Sequence, residues 1–233
     1  MVKIAIIDSG LNIENVPGNP PNVSGLTIDK KHSGYIEFKH GDYHDTIGHG
    51  TMCLRIIHSY IQDAVYLIVK IFDTKLRTNQ KVLVAAIHYC IKQQVNVINL
   101  SLGIRAEHAS RSLIKTCEFA HRRKIIIVAA DHNEGKVCFP ACLPSVIGVG
   151  STSFNNGENI IYRNGSPIEF YTNAGAGVNK FNGADSTSFS CCKITGHVAR
   201  IISEKGNIGA EAVRKELIEM AVKTVPGAAI ENS

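Results

Sequence analysis

Three side chains in this sequence could together activate a hydroxyl nucleophile. Asp8 ends the apolar run Val2-Lys3-Ile4-Ala5-Ile6-Ile7, His49 stands in Gly48-His49-Gly50-Thr51, and Ser188 stands in Ser186-Thr187-Ser188-Phe189-Ser190. A serine hydroxyl attacks poorly until a base removes its proton. The base, an imidazole, in turn needs a carboxylate to fix its tautomer and stabilise its charged form. Taken singly, each residue has a plainer reading: Asp8 as a turn residue, His49 as a satisfied interior histidine, Ser188 as a helix N-cap. Their joint occurrence favours acyl-transfer chemistry.

Such residues must be carried to one place by the elements around them. Residues 2–7 read as a buried parallel strand running into the turn Asp8-Ser9-Gly10. Residues 11–45, rich in Pro, Gly, Asn and Asp, read as a long loop with short extended pieces. Helical periodicity follows from about 49 to 60, over 81–93, over 110–123, from about 188 to 203 and from about 209 to 222. Strands are expected at 64–72, 95–100, 125–130 and 145–149, and short strand-like pieces within 151–182. Repeated strand–helix units imply an α/β fold of three layers, a mostly parallel twisted sheet with helices on both faces. In such a sheet ligands bind at the carboxyl ends of the strands. Asp8, Ser101 and Asn133 lie at or just past strand ends and gather on that rim.

With 233 residues, 44% hydrophobic and 19% charged, the chain can bury one sizeable core, and we expect a single domain over 1–233. The net charge of +5 is mild and its basic residues are scattered, so nucleic acid is not an expected partner. No apolar stretch reaches the ~20 residues of a membrane span. No charged segment followed by an apolar core and a cleavage site opens the chain, and the expected location is the cytoplasm. Seven cysteines, an odd number, suit reduced thiols better than a disulfide framework, with Cys138 and Cys142 the one pair close enough to consider. Cys191 and Cys192 read as buried packing residues. His44 and Asp45 precede His49, yet their spacing does not match a His-Glu-x-x-His metal helix. Asp42 and Asp45 are read as surface charges or as partners of site residues.

The sequence resembles the subtilisin family of serine peptidases over roughly residues 1–203. The resemblance rests on six segments in order: Val2–Gly10, Gly48–Thr51, Val97-Ile98-Asn99-Leu100-Ser101-Leu102-Gly103, Val128–Gly135, Phe139–Gly150 and the Ser188 motif with its helix to Ile201. It implies that Asp8, His49 and Ser188 are the triad and that Asn133 is the side-chain donor to the oxyanion, helped by the Ser188 N–H. It further implies that Ser101, Leu102 and Gly103 hold an extended peptide or protein segment as an added strand, with Ala130 and His132 flanking the pocket before the scissile bond.

The departures from the family pattern carry their own expectations. Ser186 stands where the family has Gly, Cys191-Cys192 where it has Ser-Pro, and His132 where it has Gly, which narrows the pocket or makes it more polar. The calcium loop of secreted members is missing between the histidine helix and Val65, so no metal or other cofactor is expected. The minimal length points to a dedicated role such as removing a leader from a precursor peptide. Two rivals keep the same groove: an inactive peptide-binding relative, and a peptide cyclase or acyl transferase using the same triad.

Overall fold

A computed structural model describes residues 1–17, 21–105, 109–131, 138–152, 160–174 and 186–224. The apolar run at the start of the chain, β1 (Val2–Asp8), becomes an interior strand of the sheet, next to its middle strand. It pairs in parallel with β4 (Ala64–Lys70) on one side and with β5 (Val97–Leu100) on the other. Beyond β4 lie β2 (Asn22–Lys30) and β3 (Ile36–His40), the latter antiparallel at the edge. Beyond β5, after the short β6 (Ile104–Arg105), come β7 (Ile126–Ala130), β9 (Ile147–Ser151), β11 (Phe170–Thr172) and the antiparallel edge strand β10 (Ile161–Tyr162). Two-residue β8 (Cys138–Phe139) pairs with β6 apart from the main sheet.

Five helices cover the two faces: α1 (His49–Tyr60), α2 (Gln80–Lys92), α3 (Arg111–Arg122), α4 (Ser186–Lys205) and α5 (Ala210–Thr224). Alternate strand residues point to opposite faces, and the two cores divide accordingly. Ile4, Ile6, Ile68, Val97 and Val128 pack against α1, α4 and α5. Ala5, Ile7, Val69, Ile98 and Ile127 pack against α2 and α3. Burying one such aliphatic side chain contributes ~1.5–3 kcal/mol. Local signals agree with this: Asn79 accepts from Val82 N at the start of α2, and Ser110 from Leu113 N at the start of α3.

The layers decide where a site can form. The first helix after β1, reached through β2 and β3, is α1, packed on one face, and the first helix after β5 is α3, packed on the other. The segments that follow these two adjacent strands therefore part at their carboxyl ends and open a crevice there. Asp8 ends β1 on one side of it, and Ser101 follows β5 on the other.

The expected α/β three-layer architecture is present. The long loop expected at 11–45 is not: it holds a nine-residue strand and a hairpin partner. Only Leu26 and Ile28 of β2 are fully buried, too few to show an alternating pattern. The strand exists because β4 supplies its hydrogen-bond partners. Among the described residues no helix is long and apolar enough to cross a membrane.

Candidate active site

Asp8 and His49 meet at the carboxyl end of β1. The close approach depends on Gly50, where a Cβ would lie 2.4 Å from the Gly10 carbonyl oxygen and 3.2 Å from the Asp8 Cβ. Without a side chain there, the first turn of α1 packs directly on the β1 turn. His49 is the first residue of α1, and its Nδ1 lies 2.7 Å from Asp8 Oδ1, with both side chains buried. An ionised carboxylate only accepts, so Nδ1 carries the proton and the neutral ring keeps its lone pair on Nε2. Burial disfavours the imidazolium, but the adjacent Asp8 carboxylate outweighs it and raises the His49 pKa above the usual value. The Ser9 N–H donates to the same Asp8 oxygen at 2.7 Å.

Ser188 comes from the other side of the crevice, in the first turn of α4. It is 8% exposed, so its hydroxyl is close to the surface without being open to it. Ser188 Oγ donates to the Ser101 carbonyl at 3.2 Å, and Ser101 Oγ donates back to the Ser188 carbonyl at 3.4 Å. Phe189 packs on the His49 ring with centroids 5.5 Å apart, which brings the start of α4 against the imidazole. Cys53, one turn along α1 from His49, donates to Ser101 Oγ at 3.5 Å and to Asp8 Oδ2 at 3.6 Å. Asp8, His49, Ser101 and Ser188 are thus linked by side-chain contacts across three elements.

Leu102, half-buried, and Gly103, exposed, continue from Ser101 along the crevice, and Ala130 ends β7 nearby. Gly103 is held against Cys138, whose Sγ would sit 2.7 Å from an added Cβ and itself donates to the Ala130 carbonyl at 3.6 Å. A cavity of about 670 Å³ opens beside this strip, lined by Phe72, Leu76, Leu102, Gly103 and Ile104. Asn133 and His132 lie outside the described residues, as does Glu134, and of Ser186 only the helical backbone is described. All seven cysteines are free thiols, Cys138 and Cys142 included.

Residues 1–232 match the sequence profile of the subtilase family. The chain belongs to that family. It is a serine-type endopeptidase, as its relatives are. Subtilisin DY of Bacillus licheniformis is 24% identical over 94% of this chain and 83% of its own length. The same fold is seen in the prenylagaramide maturation protease PagA, with a TM-score of 0.64 at 22% identity over 88% of this chain and 76% of that one. A lanthipeptide protease is similar to the same degree, with a TM-score of 0.65 at 21% identity over 92% and 78% of the two chains.

Several residues of this subtilase's site were not singled out from its sequence. Asp45, read there as a surface charge or a partner of the site, is buried at 4% exposure and accepts five hydrogen bonds. Asn99, fully buried in β5, donates to Ser101 Oγ at 2.8 Å and accepts from Thr195 Oγ1 of α4 at 2.8 Å. The signal for Asn99 was available, since an amide inside Val-Ile-Asn-Leu must find a partner once buried. Cys191 and Cys192 are fully buried beneath Ser188, as expected of packing residues. Among the described residues, Asp8, His49 and Cys53 are the one His/Cys/Asp/Glu cluster close enough to share an ion. Burial holds the Cys53 thiol well above its usual pKa, so it stands there as a neutral thiol rather than a ready ligand.

Proposed function

We propose that Asp8, His49 and Ser188 are the catalytic triad, and that this subtilase is a dedicated processing protease acting on a precursor peptide. The observation that carries the triad is the buried 2.7 Å bond between His49 Nδ1 and Asp8 Oδ1, with Ser188 on the helix packed against the same imidazole. With Nδ1 committed to Asp8, Nε2 takes the Ser188 proton as Oγ attacks a peptide carbonyl. The developing oxyanion is met by the Ser188 N–H and, by the family resemblance, by Asn133. His49 then protonates the leaving amine, and water releases the acyl group by the reverse sequence of proton transfers. Ser101, Leu102, Gly103 and Ala130 border the strip along which an extended substrate lies, with His132 beside its pocket.

The processing role draws support from likeness to a maturation protease and a lanthipeptide protease. Soluble and unattached to membrane or nucleic acid is the form in which we expect it to meet its substrate, in the cytoplasm and without a cofactor.

A fluorophosphonate probe tests the triad. Wild-type protein is expected to be phosphonylated at Ser188, located by mass spectrometry, and Ser188→Ala to remain unlabelled. In subtilisin the loss of the nucleophile costs about 10⁶ in kcat. Labelling elsewhere, or persisting in Ser188→Ala, sinks the assignment. Casein and a panel of unrelated peptides test the role, because rapid and indiscriminate cleavage of them is incompatible with dedicated processing. Competition by an added amine for the acyl-enzyme separates hydrolysis from acyl transfer.

A further inference from the structure

The N-cap of α1 is Gly48, held at φ 93° and without a side chain to satisfy the first helical N–H groups. A preceding loop residue supplies what Gly48 cannot. Asp45 Oδ2 accepts from Thr51 N at 2.9 Å and from Thr51 Oγ1 at 2.7 Å. Its other oxygen, Oδ1, accepts from Gly48 N at 2.8 Å, Ile47 N at 3.0 Å and Ser9 Oγ at 3.0 Å. Ser9 Oγ in turn accepts from Gly50 N at 2.9 Å. Two of the first three helical N–H groups, those of Gly50 and Thr51, are therefore capped by one buried carboxylate and its hydroxyl partner. The same Ser9 donates its backbone N–H to Asp8 Oδ1, the oxygen that holds His49.

We propose that Asp45 is a positioning residue of the peptidase reaction, clamping the start of α1 to the Asp8-Ser9 turn so that the His49 ring stays aligned with Asp8. The inference rests on the triad reading above. A single carboxylate spans both walls of the bond that orients the base: the helix that carries His49 and the turn that carries Asp8. Burial alone would raise its pKa, but the Thr51 hydroxyl and the three backbone N–H groups prevail and keep it low, so it accepts as an anion. An amide in its place keeps one accepting oxygen and turns an NH₂ group toward N–H or O–H donors. The clamp then opens on one side, and a ring displaced by a fraction of an ångström or more loses rate steeply, on the order of 10²-fold per ångström.

The test compares Asp45→Asn with Asp42→Asn, which removes the same charge from an exposed position in the same loop. The rate of Ser188 phosphonylation by a fluorophosphonate is split into its maximal rate and its half-saturating concentration. Asp45→Asn is expected to lower the maximal rate roughly 10- to 100-fold while the half-saturating concentration stays within about threefold. Asp42→Asn is expected to match wild type. A downfield ¹H resonance from the His49 Nδ1 proton reports the Asp8 bond directly, and it should shift or broaden in Asp45→Asn alone. An unchanged maximal rate in folded Asp45→Asn overturns the proposal, and so does a lost rate with an unmoved resonance. Should Asp45→Asn not fold, Ser9→Ala removes a single strand of the clamp and should give the same resonance change with a several-fold slower rate. Wild-type behaviour of Ser9→Ala then overturns the proposal. The resonance is read without turnover, so a failure of the triad itself, seen as labelling that survives Ser188→Ala, remains distinguishable.

Discussion

At the start of α1, side chains are held by oxygen acceptors at short range: Asp8 on His49 at 2.7 Å, Asp45 on Thr51 at 2.7 and 2.9 Å, Ser9 on Gly50 at 2.9 Å. At the start of α4 the surroundings are softer. Ser188 and Ser101 exchange bonds of 3.2 and 3.4 Å, and the thiols of Cys53 and Cys192 each lie 3.5 Å from Ser101 Oγ. Around Ser188, α4 is fixed by burial, with Phe189, Cys191, Cys192 and Ile194 wholly inside the core shared with α1, and by bonds made further along, Ser190 Oγ to the Thr172 carbonyl at 2.7 Å and Thr195 Oγ1 to Asn99 Oδ1 at 2.8 Å. A general base must keep one ring orientation and one tautomer, which directional charge-assisted bonds enforce. A nucleophilic hydroxyl must exchange partners during the reaction, so its backbone is fixed by packing and its own bonds stay weak. The difference lies in the bonds that His49 and Ser188 themselves make, short at His49 and longer at Ser188.

The largest effect should come from the directional half. Asp8→Asn removes the carboxylate that fixes the His49 tautomer, and probe labelling or peptide hydrolysis should fall on the order of 10⁴-fold. The same pair sets a pH dependence. Because Asp8 raises the His49 pKa, the neutral base form is reached only at higher pH, and wild-type labelling should rise with a midpoint above 6.5. In stability the sign is opposite: the pairing contributes fully below the unfolded value and fades as pH rises through the raised folded one. A midpoint at or below 6.5 would break the contrast between the halves.

A steric change at the same junction should come next. Gly50→Ala drives a methyl group onto the Gly10 carbonyl, a backbone atom with little room to yield. A cost of about 3 kcal/mol in a denaturant titration is expected, with slower labelling of the folded fraction.

The packed half is sharpened by His197, which lies between α4 and α1 with its ring edge-on to Tyr60 at 4.7 Å. Burial, reinforced by Arg200 and Lys193, pushes its pKa down to about 4. It is therefore neutral when folded and takes up a proton on unfolding between pH 6.5 and 4. The stability it confers is whole above about 6.5 and is lost as pH falls toward 4. His197→Leu should flatten that acid-side loss by about 2–3 kcal/mol in thermal unfolding across this range. An unchanged acid slope would mean that the α1–α4 contact is not what acid weakens.

The smallest effect should follow Cys53→Ser or Cys192→Ser. If packing rather than bonding holds the nucleophile half, labelling rates should stay within about tenfold of wild type, with stability changed by about 1 kcal/mol. A loss beyond a hundredfold in either variant would show that the sulfur contacts orient the site.

Much of this arrangement was legible in the residues. Residues 2–7 read as a buried strand because a largely apolar run needs cover on both faces, and β1 is an interior strand of the sheet. Gly48-His49-Gly50-Thr51 marks a helix start, and α1 begins at His49, whereas the tight fit of Gly50 against Gly10 is seen only in the fold. The edge hairpin of β2 and β3 was hidden, because its few buried residues are scattered among polar ones and glycine. Asp45 looked like one of several loop acids, for nothing in its neighbourhood distinguishes it from exposed Asp42.

By itself the sequence determined which residues could do the chemistry and where the helices and the interior strands would form, since apolar periodicity and residue type act locally. Only the tertiary structure decided which polar groups became partners. Asn99 reaches Thr195 across 96 positions and Ser188 reaches Ser101 across 87, distances over which no sequence pattern specifies a contact. Burial is a property of the packed neighbourhood rather than of the residue. That is why two aspartates three positions apart can end as a surface charge and as a buried acceptor beside His49.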